Sequence, residues 1–246
     1  MPLHRADLMK TVMITGATSD IGLECVKNSL LEGHEVCAVF RKETDELSKL
    51  KEKYKEKLDL LKADFIEKDQ IENLLAKIAS REKTIDSYIG LAAIRDDVNY
   101  EDISYDDLMK HFKANVIPNT LIVKVLGEVM SQKKWGRIVI GGSIGVKFGG
   151  GASSYCYSLT KYTNELIPSI AKKWAKNNVL YNIVRIGVTD TKRIRNDGKM
   201  KLEARVQMIP MGRPASPDEI ANFICWLSSD KNTYITSETL SIAGGE

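Results

Sequence analysis

Tyr157 and Lys161 are the side chains whose types and spacing point most directly to chemistry. Residues four apart share one face of a helix, so the phenol and the ammonium are expected to lie together. A free tyrosine, with a pKa of about 10, is a poor acid at neutral pH, and a nearby cation lowers that pKa. The pair therefore predicts a phenol that protonates a carbonyl oxygen while hydride reaches the carbon, with a coincidental surface pair as the alternative.

Two further polar residues fit the same reaction. Ser143 follows an apolar segment, and its hydroxyl is expected to hydrogen-bond the substrate carbonyl oxygen; otherwise it forms a turn. Asn115 lies midway along a predicted helix and is expected to hold a water in a proton path; otherwise it is a polar residue that bends the helix. Tyr155 has no lysine four residues on, so we expect it to be a pocket or core residue.

The sequence TGATSDIG at residues 15–22 predicts a turn of small residues between a strand and a helix. Backbone N–H groups of such a turn approach a pyrophosphate, and the helix N-terminus favours its negative charge; a purely structural turn is the alternative. Gly16 is expected to form the tight turn, Gly22 to allow close packing of helix on strand, and Asp20 to cap the helix. The residues expected to contact the cofactor here are Gly16, Thr18, Ser19, Asp20, Ile21 and Gly22.

The end of the second predicted strand favours NADP(H) over NAD(H). Enzymes that prefer NAD usually carry an acid here for the ribose 2′-hydroxyl, whereas this sequence has Phe40 and Arg41. Arg41 has a fork of donors that suits a 2′-phosphate, unless it only begins a charged helix. Asp64, at the end of the third predicted strand, is expected to bind the adenine amino group or to cap the turn.

Apolar strands that alternate with amphipathic helices must position these residues. Strands are predicted at 11–14, 35–40, 58–62, 87–91, 137–140, 180–186 and 239–242. Helices are predicted at 21–31, 68–80, 105–131 with a break near Pro118, 155–176 and 217–227. The alternation predicts an α/β fold, a single-domain Rossmann-type doubly wound parallel sheet with helices on both faces. One domain is expected over residues 1–246, with a loose arm at 1–9.

Composition argues against several other classes of protein. The net charge of +3 is too small to indicate a nucleic-acid partner, and no apolar run reaches the roughly 18 residues of a membrane span. The four cysteines form no CxxC pair and follow no signal peptide, so they are expected to be reduced thiols in a cytoplasmic protein. The three histidines lack ligand spacing, so no metal site is expected.

Taken in order, the motifs resemble those of classical short-chain dehydrogenases/reductases from residue 11 to the end of the sequence. The matching pieces are TGATSDIG at 15–22, Asp64, Asn115, GRIV at 136–139, Ser143, YSLTK at 157–161 and Gly187. Two longer pieces follow, IPMGRPASPDEIANFICWLSSD at 209–230 and ITSETLSIAGG at 235–245. In this order the motifs are far more specific than any one of them, and the pattern is most similar to ketoreductases of the 3-oxoacyl-carrier-protein reductase type.

The resemblance implies a role for each of these residues. Tyr157 would be the general acid/base, Ser143 would stabilise the substrate carbonyl, and Asn115 would support the proton relay. Lys161 would lower the pKa of Tyr157 and bind the nicotinamide ribose. The pyrophosphate would be lined by Gly16, Ser19, Ile21 and Gly22, and the nicotinamide side by residues 186–191, including Gly187, Val188 and Thr191.

The sequence departs from the family pattern at three places. Asp20 stands at the middle glycine of the turn, the usual Pro-Gly after the sixth predicted strand reads Ile186-Gly187, and residues 90–93 read Gly-Leu-Ala-Ala instead of Asn-Asn-Ala-Gly. The usual segment helps to hold the central sheet and the adenosine side, so these changes are expected to bear on cofactor affinity. Small residues such as Ala92 still keep the site small. Since the catalytic set is complete, an active enzyme with a shifted substrate is expected.

The resemblance and the charge pattern together favour reduction of a ketone or aldehyde with NADPH. The basic segment 192–205 lies in the family's substrate lid, about 188–212, and favours an anionic substrate such as a carrier-bound acyl thioester or a phosphorylated or nucleotide-linked sugar. A solvated lid is the alternative. Lys133 and Lys134 are expected to dock an acidic carrier or to interact with a helix C-terminus.

The resemblance also implies a homo-oligomer, a tetramer or a dimer. Two other functions stay open at this stage. One is an NAD-linked alcohol or sugar dehydrogenase, and the other is a sensor protein that binds the cofactor without turnover.

Overall fold

The computed structural model describes residues 9–196 and 199–246, apart from the side chains of residues 199–201. Its sheet has seven parallel strands in the order β3-β2-β1-β4-β5-β6-β7. They are β1 (Thr11–Thr15), β2 (Glu35–Phe40), β3 (Leu58–Lys62), β4 (Ser87–Gly90), β5 (Gly136–Ser143), β6 (Val179–Ile186) and β7 (Thr239–Ile242). The predicted doubly wound α/β fold is confirmed. The predicted arm at 1–9 lies, except for Met9, outside the described residues.

Helices cover both faces of this sheet. They are α1 (Asp20–Leu31), α2 (Asp45–Tyr54), α3 (Lys68–Ala79), α4 (Tyr105–Asn115), α5 (Ile117–Gln132), α6 (Tyr155–Thr163), α7 (Ala171–Ala175), α8 (Lys192–Asn196), α9 (Lys199–Val206) and α10 (Pro217–Leu227). The sheet has one hydrophobic core on each face. Because side chains alternate across a strand, successive residues of β1 point into different cores. Met13 packs with Ile122 of α5 on one face, and Ile14 packs with Ile220 of α10 on the other.

The location of the predicted site follows from the point in the sheet where the strand order reverses. Strand β1 pairs with β2 on one side and with β4 on the other, so the connections leave β1 and β4 in opposite directions. In open α/β sheets, ligands bind outside the carboxyl ends of the strands at such a point. Thr15, Gly90 and Ser143 end β1, β4 and β5, which brings the predicted cofactor turn and Ser143 to one edge.

The predicted helix at 155–176 is wrong as a single element. Helix α6 ends at Thr163, and α7 begins only at Ala171. Pro168 lies between them, where it lacks an N–H and disfavours helical backbone in the preceding residue. The predicted break near Pro118 is confirmed, since Pro118 lies in the first turn of α5, where a missing N–H costs little.

A buried arginine ties the amino end of β5 to two loops. Arg137 is 2% exposed, and its Nε donates to the carbonyl oxygens of Ser229 at 3.2 Å and Asn232 at 3.0 Å. Its NH1 donates to the carbonyl oxygens of Gly136 at 2.7 Å and Asn178 at 2.8 Å. Burial lowers the pKa of Arg137 to about 10. The guanidinium therefore satisfies several buried acceptors at once.

Replacing Arg137 with methionine is expected to lower the free energy of unfolding by about 3 kcal/mol, because several buried carbonyl groups lose their donor. Urea denaturation followed by circular dichroism measures the change. Lys49→Met, at an exposed position on α2, is the matched control and should shift stability by less than about 0.5 kcal/mol. Equal stabilities for the two variants would contradict this role of Arg137.

The described helices include none that is both long and apolar enough to span a membrane. Within residues 9–196 and 199–246, no three His, Cys, Asp or Glu side chains come together as a set of metal ligands.

Candidate active site

Two adjoining cavities lie at the carboxyl ends of the strands. The larger, of about 850 Å³, is lined by the end of β5, by α6, by the segment after β6 and by α8 and α9. The smaller, of about 270 Å³, lies between the ends of β1 and β2 and includes Gly16, Arg41, Asp64 and Ala92. Thr18 and Ser19 of the turn before α1 line both cavities, as do Leu91 and Ala93 after β4, so these two segments form the wall that the cavities share.

Tyr157, Lys161 and Ser143 converge on the larger cavity. Tyr157 and Lys161 lie on one face of α6, with the Lys161 Nζ 5.6 Å from the centre of the phenol ring. Lys161 is 3% exposed, and its Nζ donates to the carbonyl oxygen of Gly141 at 2.6 Å. The Ser143 hydroxyl hydrogen-bonds Tyr157, and its Oγ also accepts from Gly145 N at 3.2 Å. Ser143 thus both forms the turn and faces the cavity.

Burial acts in opposite directions on the two titratable groups of α6. It raises the pKa of Tyr157, because a phenolate is costly away from water, while the charge of Arg95, the Ser143 hydrogen bond and the charge of Arg193 lower it. Burial lowers the pKa of Lys161 to about 8. The pKa of Tyr157 is raised overall, so the lowering predicted from Lys161 is not observed. The positive charges that favour the Tyr157 phenolate belong to Arg95 and to Arg193 of the basic lid segment.

Asn115 joins the loop after β4 to helix α6. It ends α4, its Oδ1 accepts from Ile94 N at 2.8 Å, and its Nδ2 donates to Ile94 O at 3.0 Å and Thr160 Oγ1 at 2.9 Å. Its carbonyl oxygen accepts from the side-chain amides of Asn119 at 3.1 Å and Asn164 at 2.8 Å. Asn115 is fully buried, and these hydrogen bonds fix the position of α6 relative to α4 and to the loop after β4.

A buried network lies beside the altered segment 90–93. The Tyr88 hydroxyl donates to Asn119 Oδ1 at 2.7 Å and lies 3.5 Å from Thr15 Oγ1, which accepts from Ala92 N at 3.4 Å. A Cβ on Gly90 would lie 2.6 Å from Asn119 Oδ1, so the close approach of Asn119 requires glycine there. Tyr88 and Asn119 thus hold the centre of the sheet. In the sequence, the signal for this network was a polar side chain within a mostly apolar segment, Tyr88 in β4 and Asn119 in α5.

The turn before α1 has the geometry expected of a phosphate-binding turn. Gly16 has a φ of +71°, and a Cβ there would lie 2.8 Å from Ala92 N. A Cβ on Gly22 would lie 2.1 Å from Gly16 O, so Gly22 allows close packing against the turn itself rather than against the strand. Ser19 is the N-cap of α1, and its Oγ accepts from Gly22 N at 3.1 Å.

The prediction that Asp20 caps its own helix is wrong. Asp20 is the first residue of α1, and its Oδ2 accepts from the backbone N–H of Lys192 at 2.8 Å, at the start of α8. Lys192 Nζ also lies 3.0 Å from Glu46 Oε1 on α2. The carboxylate that replaces a glycine therefore links the cofactor turn to the lid. It still lines the larger cavity, as do Thr18, Ser19 and Ile21.

Arg41 and Asp64 face the smaller cavity, as their positions at strand ends predict. Arg41 is exposed and follows β2. Asp64 Oδ1 accepts from Ile66 N at 3.1 Å, so this carboxylate holds its own turn while it lines the cavity.

Much of the basic lid segment is neutralised within the chain. Arg195 Nε lies 3.0 Å from Asp190 Oδ1, and Arg205 pairs with Glu246. Lys192, Arg193 and Arg205 line the larger cavity together with Gly187, Val188 and Thr191. Asp197 and the side chains of Lys199 and Lys201 lie outside the described residues.

Two other predicted residues lie away from the cavities. Tyr155 is exposed rather than in a pocket or core, and its ring meets that of Tyr100 edge-on with centres 5.0 Å apart. Lys133 Nζ lies 2.8 Å from Asp86 Oδ1, next to the amino end of β4. Lys133 is thus at the sheet edge opposite the site.

Comparison with known proteins decides the family. A family model described as enoyl-(acyl carrier protein) reductase matches residues 16–246. The chain belongs to the short-chain dehydrogenase/reductase family. As a member of that family it is an oxidoreductase, and the resemblance noted in the sequence is confirmed. The Tyr157, Lys161 and Ser143 motifs of this dehydrogenase/reductase all fall inside the matched range.

Individual relatives of this short-chain dehydrogenase/reductase are similar over nearly the whole chain. A 3-oxoacyl-[acyl-carrier-protein] reductase of Thermotoga maritima is 26% identical, covering 96% of this chain and 97% of the relative. An acetoacetyl-CoA reductase of an Acinetobacter species is 28% identical, covering 96% and 97%. The structure of a 3-oxoacyl (acyl-carrier-protein) reductase from Agrobacterium tumefaciens with NADP bound has a TM-score of 0.86 at 23% identity, covering 96% and 94%.

Proposed function

We propose that this protein is an NADPH-dependent carbonyl reductase in which Tyr157 donates the proton. The observation that carries the proposal is the convergence of Tyr157, Lys161 and Ser143 on a cavity that adjoins the turn before α1. The named activities of the relatives, a 3-oxoacyl reductase and an acetoacetyl-CoA reductase, support reduction of a carbonyl group.

The residues present fit a nicotinamide dinucleotide. The left-handed Gly16 and the close approach at Gly22 make a turn in which added side chains would clash. Helix α1 starts beside the larger cavity, and the first N–H groups of a helix lack helical partners and favour phosphate. When bound, the reduced nicotinamide supplies the hydride for the carbonyl carbon. Gly187, Val188 and Thr191 would line its side of the cavity, and Lys161 would bind its ribose.

Each catalytic side chain acts on the substrate carbonyl in a distinct way. The Ser143 hydroxyl orients the carbonyl oxygen by hydrogen bonding, and the phenol of Tyr157 gives that oxygen its proton. Lys161, fixed by Gly141 O, lies on the same face of the helix and favours the phenolate that is left. Asn115 holds α6 in place through Thr160, and a role in the proton path would require an exchange of its present hydrogen bonds.

Turnover is the test of this proposal. Purified protein is mixed with NADPH and a panel of ketones and aldehydes, and NADPH consumption is followed by absorbance. We expect reduction of at least one class of carbonyl compound. Tight cofactor binding without any turnover would instead favour the sensor function. Turnover seen only as oxidation with NAD⁺ would favour the alcohol or sugar dehydrogenase.

We expect Arg41 to make the protein bind NADP(H) more tightly than NAD(H). Its guanidinium stands at the end of β2 beside the smaller cavity, where a 2′-phosphate would lie. Arg41→Gln is expected to weaken NADPH binding about 30-fold while NADH binding changes less than about 3-fold, because only the former loses a charge-assisted hydrogen bond.

Fluorescence titration with both cofactors measures the Arg41 effect. Lys42→Gln removes the same charge one residue away and is the matched control. Wild-type protein that binds NADH more tightly than NADPH would overturn the assignment.

The cellular location and the oligomeric state of the enzyme are also part of the proposal. Four free, buried cysteines are consistent with a cytoplasmic protein. Exposed apolar side chains on and after α5 and α6, among them Ile117, Leu166 and Ile170, are consistent with a homotetramer or dimer. A carrier-bound substrate would have to approach through the lid rather than through Lys133.

A further inference from the structure

Arg95 brings a positive charge next to the proposed proton donor. It follows β4 and lines the larger cavity, with its Cζ over the Tyr157 ring at 5.9 Å from the ring centre. The charge of Arg95 stabilises the Tyr157 phenolate, as does that of Arg193 on α8. Two guanidinium groups from separate segments thus face the point where the substrate carbonyl would be protonated.

Asp97 orients both arginines without cancelling them. Its Oδ1 lies 3.0 Å from Arg95 Nε and 4.0 Å from Arg193 NH2. One carboxylate between two guanidinium groups leaves this group of three side chains with a net positive charge. Because Asp97 engages Arg95 through Nε, the two terminal amino groups form the fork that binds a carboxylate through paired hydrogen bonds.

The positions of Tyr157 and Arg95 limit where an anionic group can be. A carbonyl oxygen hydrogen-bonded to the phenol lies about 4.5 Å from the ring centre and close to the plane of the ring, because the C–O···O angle is bent. Arg95 lies over the ring, so about 7.5 Å separates its Cζ from the carbonyl oxygen. A paired carboxylate carbon lies about 4 Å from Cζ, so it lies at least about 3.5 Å from the carbonyl oxygen, a distance that acids with one or two intervening carbons reach.

We propose that Arg95, oriented by Asp97 and assisted by Arg193, selects short oxo acids in which one or two carbons separate the carboxylate from the reacting carbonyl. The lining also includes the apolar side chains of Phe148 and Leu202, which would hold a short alkyl group of the substrate. This inference rests on the proposed reductase function and narrows its substrate from any carbonyl compound to 3-oxo and 4-oxo acids.

Matched acids and esters test the selection. We would measure kcat/KM with NADPH for acetoacetate against methyl acetoacetate, and for 4-oxopentanoate against its methyl ester, since each ester keeps the carbonyl but lacks the charge. Wild-type protein is expected to favour the acids. In Arg95→Gln the acid-to-ester ratio should fall about 100-fold. The ratio is unaffected by a change in the acidity of Tyr157, because that change slows acid and ester alike.

Arg195→Gln is the control for charge alone. Arg195 lies on the same helix as Arg193 and carries the same charge, but it pairs with Asp190 outside the lining of the cavity. Its acid-to-ester ratio should equal that of the wild type. An acid-to-ester ratio that is the same in Arg95→Gln and wild type would overturn the proposal.

Calorimetric titration with pentanoate separates this inference from the reductase function, because pentanoate has no carbonyl to reduce. Binding that is lost in Arg95→Gln, together with no turnover of any carbonyl compound, would keep the anion site and refute the reductase. Turnover of esters without binding of pentanoate to the wild type would keep the reductase and refute the anion site.

Discussion

Replacing Tyr157 with phenylalanine is expected to lower kcat for carbonyl reduction by about 10³-fold, because the substitution removes the proton donor and leaves the ring in place. The ring lies near both Lys161 and Arg95 and is retained in the variant, so the fold and the cavity walls should persist. NADPH binding should change less than about 3-fold, since the loss is one hydrogen bond at most. Stopped-flow measurement of NADPH oxidation with saturating substrate gives kcat free of binding effects.

Tyr155→Phe is the matched control for this loss. It removes the same hydroxyl two residues earlier, from an exposed ring that meets Tyr100, and should leave kcat unchanged. Equal rates for Tyr157→Phe and wild type would refute the assignment of the proton donor. A loss of activity accompanied by an equal loss of NADPH binding would instead place Tyr157 in cofactor binding alone.

Lys161→Met is expected to lower kcat/KM by about 10²- to 10³-fold and, at pH 7, to raise the free energy of unfolding by about 2 kcal/mol. Activity falls because the phenolate loses its neighbouring ammonium. Stability rises because burial holds the pKa of Lys161 at about 8, below the ordinary 10.5, so the folded protein carries a buried charge at a cost. Methionine fills the same space without that charge.

The dependence of this gain on pH gives a second measurement. A lysine whose pKa is lowered on folding loses its proton between about pH 8 and 10.5 in the folded protein but keeps it in the unfolded chain. The free energy of unfolding of the wild type should therefore rise with pH over that window relative to Lys161→Met. The advantage of the variant should be full at pH 7 and absent near pH 10.5.

Urea denaturation at both pH values measures the Lys161 effect, with Lys49→Met as an exposed control. A variant that is less stable than the wild type at pH 7 would show that the hydrogen bond from Lys161 to Gly141 O outweighs the burial of the charge.

Local patterns predicted much of this fold and site, because local rules determine them. Helix α10 and strand β7 have the predicted bounds, since apolar periodicity and a capping box define them within a few residues. Tyr157 and Lys161 share a face because they are four residues apart on α6. Ser143 joins them because parallel strands end at one edge of the sheet.

What the sequence could not predict depends on contacts between distant segments. Asp20 finds its partner at Lys192, 172 residues away, and nothing in the turn itself indicates the lid. The sequence could not show that Arg95 belongs to the site, because Arg95 comes near Tyr157 only when the loop after β4 packs against α6. The single helix at 155–176 failed for a local reason, because Pro168 outweighed an apolar periodicity that continued across it.

The hydrogen bonds around Asn115 and Asn119 join the two halves of the site into one connected network. They run from Thr15 through Tyr88 and Asn119 to the carbonyl oxygen of Asn115, then from its side chain through Thr160 to the carbonyl oxygen of Tyr157. A chimera that takes its first half from one relative and helix α6 from another would divide this hydrogen-bond network between two sources. We therefore expect substitutions in the lid and in the loop that carries Arg95 to change the substrate specificity of this protein with less disturbance than substitutions in the sheet.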